Sequence, residues 1–203
     1  MMSGAIGLTG GFGCGKSEVA GMLRAGGIPV LDTDAMAHEL LAPGHWVFEK
    51  IVHEFGRDYM NEEGGINRRK LGRYIFEDDA AREKLNRIMH PVILADMELW
   101  LNDELTRHAH AVAMVPLLFE TGSDAIMNKC LVVAADDPLI YARLRQRGWT
   151  DVEISARIRS QLPVQEKIRR ADGVIWNNED LSSLRKRTWD TWNKIVLGKE
   201  NET

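Results

Sequence analysis

The chain has 203 residues, 44% of them hydrophobic and 28% charged, a composition that excludes disorder and a collagen-like fibre and fits one globular domain with an inserted subdomain. With 26 Lys and Arg against 30 Asp and Glu, its formal net charge of -4 excludes the overall basic character of a dedicated nucleic-acid binder. No apolar run approaches the roughly 18 residues that cross a bilayer, and Met1 to Ala5 carries no basic or long apolar leader, so a cytoplasmic protein with no membrane partner is expected.

Cys14 and Cys130 are the only cysteines; they supply neither a disulfide framework nor a four-ligand metal site, and no structural metal is expected. No repeat or Ser/Gly-rich linker interrupts the chain, so a second domain would have to be an insertion.

In chain order, Ala5 to Thr9 is a short apolar run that stops at a cluster of glycines and reads as a buried strand. Lys16 to Ala25 carries Val19, Ala20, Met22 and Leu23 at helical spacing, and Gly26-Gly27 ends it. Pro29-Val30-Leu31 predicts a second strand. The stretch from Ala35 to Arg107 shows no strand pattern and holds amphipathic segments such as Trp46 to Phe55 and Arg82 to Met89, which predict a helical insertion. The residue before a proline disfavours helical geometry, so His90 could end that second helix ahead of Pro91.

Ala111 to Val115, Leu131 to Ala135 and Gly173 to Trp176 read as three further strands with helices between them, and Leu181 to Leu197 as a last helix packed on the sheet. Alternation of this kind predicts an α/β fold of three layers, a parallel five-stranded sheet covered on both faces that binds ligands at the strands' C-terminal ends. The expected division is a core of 1–34, 108–137 and 171–203, an insertion of 35–107 and a lid of 138–170. Between Arg143 and Arg170, eight Lys or Arg stand against three acids, Asp151, Glu153 and Glu166. Such local charge in an acidic protein suits a lid that closes over a polyanion.

The chemistry begins at Gly10-Gly11-Phe12-Gly13-Cys14-Gly15-Lys16-Ser17, which fits G-x-x-x-x-G-K-[ST] between a predicted strand and a predicted helix. Glycines at Gly11, Gly13 and Gly15 let backbone N–H groups, with those of Phe12, Cys14 and Glu18, turn around phosphate oxygens at a helix N-terminus. Lys16 then neutralises the β and γ phosphates of a nucleotide such as ATP, and the Ser17 hydroxyl completes the coordination of Mg²⁺. A helix dipole and a lysine lower a thiol pKa, which would make Cys14 reactive; the simpler reading is a small residue that fits.

A GTPase is disfavoured, because Asn128-Lys129-Cys130-Leu131 lacks the Asp of N-K-x-D and no Asp precedes a Gly by three residues. Asp32-Thr33-Asp34 ends the second strand. There a carboxylate can accept the proton of an attacking hydroxyl, a role that suits Asp34, while Asp32 supports the metal through water; the alternative is a helix N-cap.

These motifs, with Pro43-Gly44, Gly65-Ile66-Asn67-Arg68, Leu71, Phe76, His90-Pro91, Val115-Pro116-Leu117-Leu118-Phe119-Glu120, Arg143, Arg147, Gln161 and Ala171-Asp172-Gly173-Val174-Ile175-Trp176-Asn177, resemble the dephospho-CoA kinase family over nearly the whole chain. The resemblance implies the fold of nucleoside monophosphate kinases and ATP-dependent phosphorylation of the ribose 3′-hydroxyl of dephospho-CoA, the last step of coenzyme A synthesis. It implies Asp34 as base, Lys16 and Ser17 on phosphate and Mg²⁺, Arg143 and Arg147 as lid charges, and Asn177 at the adenine. Arg68, His90 and Glu120 are implied near the acceptor. Ile140 departs from the family pattern, in which Gln is usual ahead of Arg143, and no Gly follows Asn177. A monomer or weak homo-oligomer is expected; the rival readings are a kinase of the same fold with another acceptor and a nucleotide-binding regulatory protein.

Overall fold

The computed structural model describes Met2 and residues 4–198. The chain divides into two compact units, one formed by residues up to Leu31 and from Leu99 onward, the other by Asp32–Glu98.

The first unit is built on the sheet. β1 (Ala5–Gly10), β2 (Val30–Asp32), β3 (Ala111–Met114), β4 (Lys129–Ala134) and β5 (Gly173–Trp176) form one parallel sheet in the order β2-β3-β1-β4-β5. Every residue of β1 and β3 is buried, as is every residue of β4 after Lys129. This is why they read as unbroken apolar runs rather than alternating ones: strands covered on both faces have no solvent side. The register pairs Leu8 with Met114 on one side and with Leu131 on the other, which sets the phosphate-loop end of β1 at the centre of the sheet.

Helices cover the sheet. α1 (Lys16–Ala25) turns its Val19, Ala20, Met22 and Leu23 into the core and stops at Gly26, with Gly27 in the left-handed region at φ 82°. α6 (Asp137–Gln146), α7 (Asp151–Arg159) and α8 (Val164–Arg170) carry the predicted lid. Ile140, Leu144 and Ile154 of this segment lie in the same apolar cluster as Ile6, Leu8, Leu131 and Val133, so 138–170 belongs to the first unit. Ile140, where the family pattern has Gln, is an apolar core residue here and packs beside Gly13. α9 (Leu181–Thr191) packs on β5 and on α1 and passes into a π-helical turn over Trp192–Val196. The predicted final helix is thus present, with its last turn widened.

The second unit, Asp32–Glu98, is helical. It contains α2 (Thr33–Leu40), α3 (Trp46–Phe55), α4 (Arg68–Glu77) and the first part of α5 (Asp79–Leu105). Leu40, Val47, Phe48, Ile51, Ile66, Leu71, Ile88 and Met89 form its buried cluster.

One local expectation is corrected. The helix predicted over Arg82 to Met89 does not end at His90: α5 runs through Pro91. A proline inside a helix costs about 3 kcal/mol. Ile88, Met89, Val92 and Ile93 around it pack into the apolar cluster, and burying such side chains contributes about 1.5–3 kcal/mol each, so packing wins. Arg143 lies within α6 and Arg147 just beyond it. α6 ends at Gln146, Arg147 is its C-cap, and Gly148 follows at φ 86°, which turns the chain off the helix.

Leu131 is 1% exposed at the centre of the sheet. Leu131→Ala is expected to destabilise the first unit by about 2–5 kcal/mol, read as a lowered urea midpoint.

Candidate active site

β1 delivers its last residue, Gly10, into the loop that α1 closes. Gly15 caps α1 at φ 98°, and a Cβ there would lie 2.3 Å from the Asn177 side-chain amide. At Gly13, with φ 71°, a Cβ would meet Leu144 at 2.8 Å. Both positions require glycine twice over, by backbone conformation and by space.

Lys16 Nζ donates to the carbonyls of Gly10 (3.1 Å) and Gly11 (2.9 Å), which holds the ammonium against the strand end of the loop. Ser17 is exposed and its hydroxyl has no partner among the described residues. Cys14 is fully buried, and burial pushes its thiol up despite the opposing Lys16 charge. The reactive-thiol reading is therefore overturned, because desolvation outweighs the lysine, and the small residue that fits is what the loop contains.

Asn177, expected at an adenine, is itself buried and donates its amide to the Cys14 carbonyl at 2.9 Å. Arg143 donates through Nη1 to the Asn177 carbonyl (2.9 Å) and through Nη2 to its Oδ1 (3.4 Å). These two residues brace the phosphate loop from the C-terminal end of β5.

A second network stands beside the loop. Lys167 of α8 is fully buried; its Nζ donates to the Pro116 carbonyl at 2.8 Å and pairs with Glu120 Oε1 at 2.9 Å. Burial pushes its ammonium down while Glu120 opposes the shift. Glu120 Oε1 also accepts from the Leu162 N–H (2.9 Å), and the Pro116 carbonyl also accepts from Thr9 Oγ1 (3.2 Å). Glu120 thus lies in the turn after β3 rather than at the strand end itself. Gln161, one residue before Leu162, has a buried Oε1 without a hydrogen-bond partner among the described residues.

Lys167 is a buried cation that the sequence pattern hides among eight basic ones. The available signal is its place with Val164 and Ile168 at i, i+3 and i+4, a stripe that turns inward on a helix.

Most of the local positive charge is already engaged. Arg145 pairs with Asp151 at 2.7 Å, Arg169 with Glu166, and Arg170 with Asp124 at 3.0 Å. Arg157 lies 6.0 Å over Trp149, whose ring meets Phe12 of the phosphate loop edge-on at 5.2 Å. Arg147 and Arg159 are exposed and have no ion-pair or hydrogen-bond partner for their guanidinium groups among the described residues.

The other sequence-predicted residues belong to the second unit. Asp32 Oδ1 accepts from the backbone N–H groups of Asp34 (3.0 Å) and Ala35 (3.4 Å), so Asp32 is the N-cap of α2 and Asp34 lies exposed in its first turn. Arg68 is the exposed first residue of α4. His90 is half-buried in α5, and burial pushes its imidazole down, so it is neutral at pH 7.

A parallel sheet with the phosphate loop on its central strand is the architecture of P-loop kinases. Shikimate kinase from Aquifex aeolicus, 15% identical, shares the fold with a TM-score of 0.53 over 96% of this chain and 99% of that one. The dephospho-CoA kinase family model matches residues 4–183, and a dephospho-CoA kinase of Geobacillus kaustophilus is 39% identical over 202 residues, 95% of this chain and 100% of the relative. The solved dephospho-CoA kinase from Campylobacter jejuni is similar at 27% identity and a TM-score of 0.73, covering 97% of this chain and 99% of that one. The chain belongs to the dephospho-CoA kinase family.

The depressed histidine carries a pH signature. The unfolded chain binds a proton at His90 before the folded one does, so this contribution to stability is complete above about pH 6.5 and is lost as pH falls below it. His90→Gln is expected to flatten the fall in melting temperature between pH 7 and pH 5.

Proposed function

We propose that the protein transfers the γ-phosphoryl group of MgATP to the ribose 3′-hydroxyl of dephospho-CoA, giving coenzyme A and ADP. The observation that carries this reading is the family match across residues 4–183 together with a complete phosphate loop. Backbone N–H groups of 11–18 surround the nucleotide phosphates, and Lys16, released from the Gly10 and Gly11 carbonyls, moves its ammonium onto the β and γ phosphates. Mg²⁺ bound with ATP supplies charge neutralisation across those phosphates. The exposed Ser17 hydroxyl would fit one of its oxygen ligands, with Asp32 acting through water. Among the described residues no group of three or more His, Cys, Asp or Glu forms a metal cage, and an ion that arrives with the nucleotide needs none.

Asp34 takes the proton as the acceptor oxygen bonds to the γ-phosphorus and the bond to the β-bridging oxygen breaks. Arg68, His90 and Glu120 bind the acceptor, with 35–107 as the acceptor-binding region. His90 acts as a neutral hydrogen-bonding group, not as a cation. The segment 138–170 serves as the lid. Its charge on the transferring phosphoryl group comes from Arg147, whose guanidinium has no partner among the described residues, while Arg143 and Asn177 act on the nucleotide through the loop they brace. The acidic net charge supports a small-molecule substrate rather than nucleic acid, and no described helix is long and apolar enough to cross a membrane.

The test is ADP release from MgATP with and without dephospho-CoA, with coenzyme A identified by mass. Dephospho-CoA-dependent turnover is expected; product from adenosine, AMP or pantetheine phosphate alone overturns the acceptor assignment. Asp34→Asn is expected to lower kcat by about 10²–10⁴-fold, the usual range for loss of a general base. Lys16→Ala is expected to cost about 10²–10³-fold through lost charge stabilisation, with circular dichroism unchanged in both variants.

A further inference from the structure

We propose that Lys167 is a positioning residue for the acceptor, acting through Glu120: it fixes one oxygen of that carboxylate from inside the protein and leaves the other for the substrate. The inference rests on the assignment of Glu120 to the acceptor.

A fully buried ammonium is costly unless it is paired and hydrogen-bonded, and Lys167 meets both conditions with groups from one short turn, Pro116 and Glu120. The same two acceptors are shared. Glu120 Oε1 takes the Leu162 N–H as well, from the link between α7 and α8, and the Pro116 carbonyl takes the hydroxyl of Thr9, the residue before Gly10. Lys167 is therefore the knot that joins the turn after β3, the α7–α8 link and the strand entering the phosphate loop.

The arrangement is asymmetric in a useful way. Both described donors to Glu120 converge on Oε1, and no partner for Oε2 is found among the described residues. A carboxylate held by one oxygen has lost the rotational freedom that a substrate would otherwise have to remove on binding, which is how preorganisation raises affinity and rate. A lysine that only filled the core would have no reason to be charged, since an apolar side chain of similar length avoids the desolvation cost.

A double-mutant cycle tests this on the intact chain, with Lys167→Met, Glu120→Gln and the double variant compared in kcat/KM for dephospho-CoA, KM for MgATP and melting temperature. Each single variant is expected to lose about tenfold in kcat/KM for dephospho-CoA with KM for MgATP within about twofold of the parent. Because the two act as one unit, the double variant is expected to match the worse single one. Losses that multiply to about a hundredfold, or that raise both KM values in step with a fall in melting temperature, overturn the inference.

If Lys167→Met does not fold, Glu120→Gln against the double variant decides. Equality supports the inference, and a further tenfold loss overturns it. A parent that makes no coenzyme A overturns the acceptor reading and the inference with it; a parent that does, with independent losses, overturns the inference alone.

Discussion

The hydrogen bond from the Asn177 amide to the Cys14 carbonyl joins residues 163 apart in sequence, and the phosphate loop depends on it. A loop whose purpose is to point N–H groups at an anion must send its carbonyls elsewhere, and a buried carbonyl needs a donor. Asn177 provides one from the end of β5, which edges the sheet two strands away from β1. The same amide occupies the space where a side chain at residue 15 would stand, so the glycine and the asparagine are one requirement written at two places. Arg143, bound to both oxygens of Asn177, extends the brace into α6.

Much of this was legible in the sequence, because burial on both faces leaves runs such as Ala111 to Met114 that have no other plausible home. The loop was legible because its residue types follow from anion chemistry. What the sequence hid were outcomes of competition between large terms. Pro91 argues for a helix end on local grounds, and only the apolar cluster around Ile88 and Ile93 decides otherwise. Cys14 beside Lys16 argues for a low thiol pKa until its burial is known. Some missed features had signals. Gly148 marks the end of α6, and Thr150 with Glu153 is a capping-box pattern that opens α7.

The basic stretch shows why charge counts over a segment overstate the field a ligand meets. Five of its eight cations have polar partners within the protein, from the exposed Arg145–Asp151 pair to the buried Lys167–Glu120 pair. Exposed pairs contribute little to stability, but they spend charge and orient helices. Arg147 and Arg159 are exposed, and their guanidinium groups have no ion-pair or hydrogen-bond partner among the described residues.

The protonated, shielded thiol of Cys14 gives the phosphate loop a chemical indifference. Alkylating agents and peroxides act on thiolates they can reach, and this sulfur is neither ionised nor accessible. Oxidation or reduction of the thiols around the protein therefore has no ready route to Cys14 while the loop is folded.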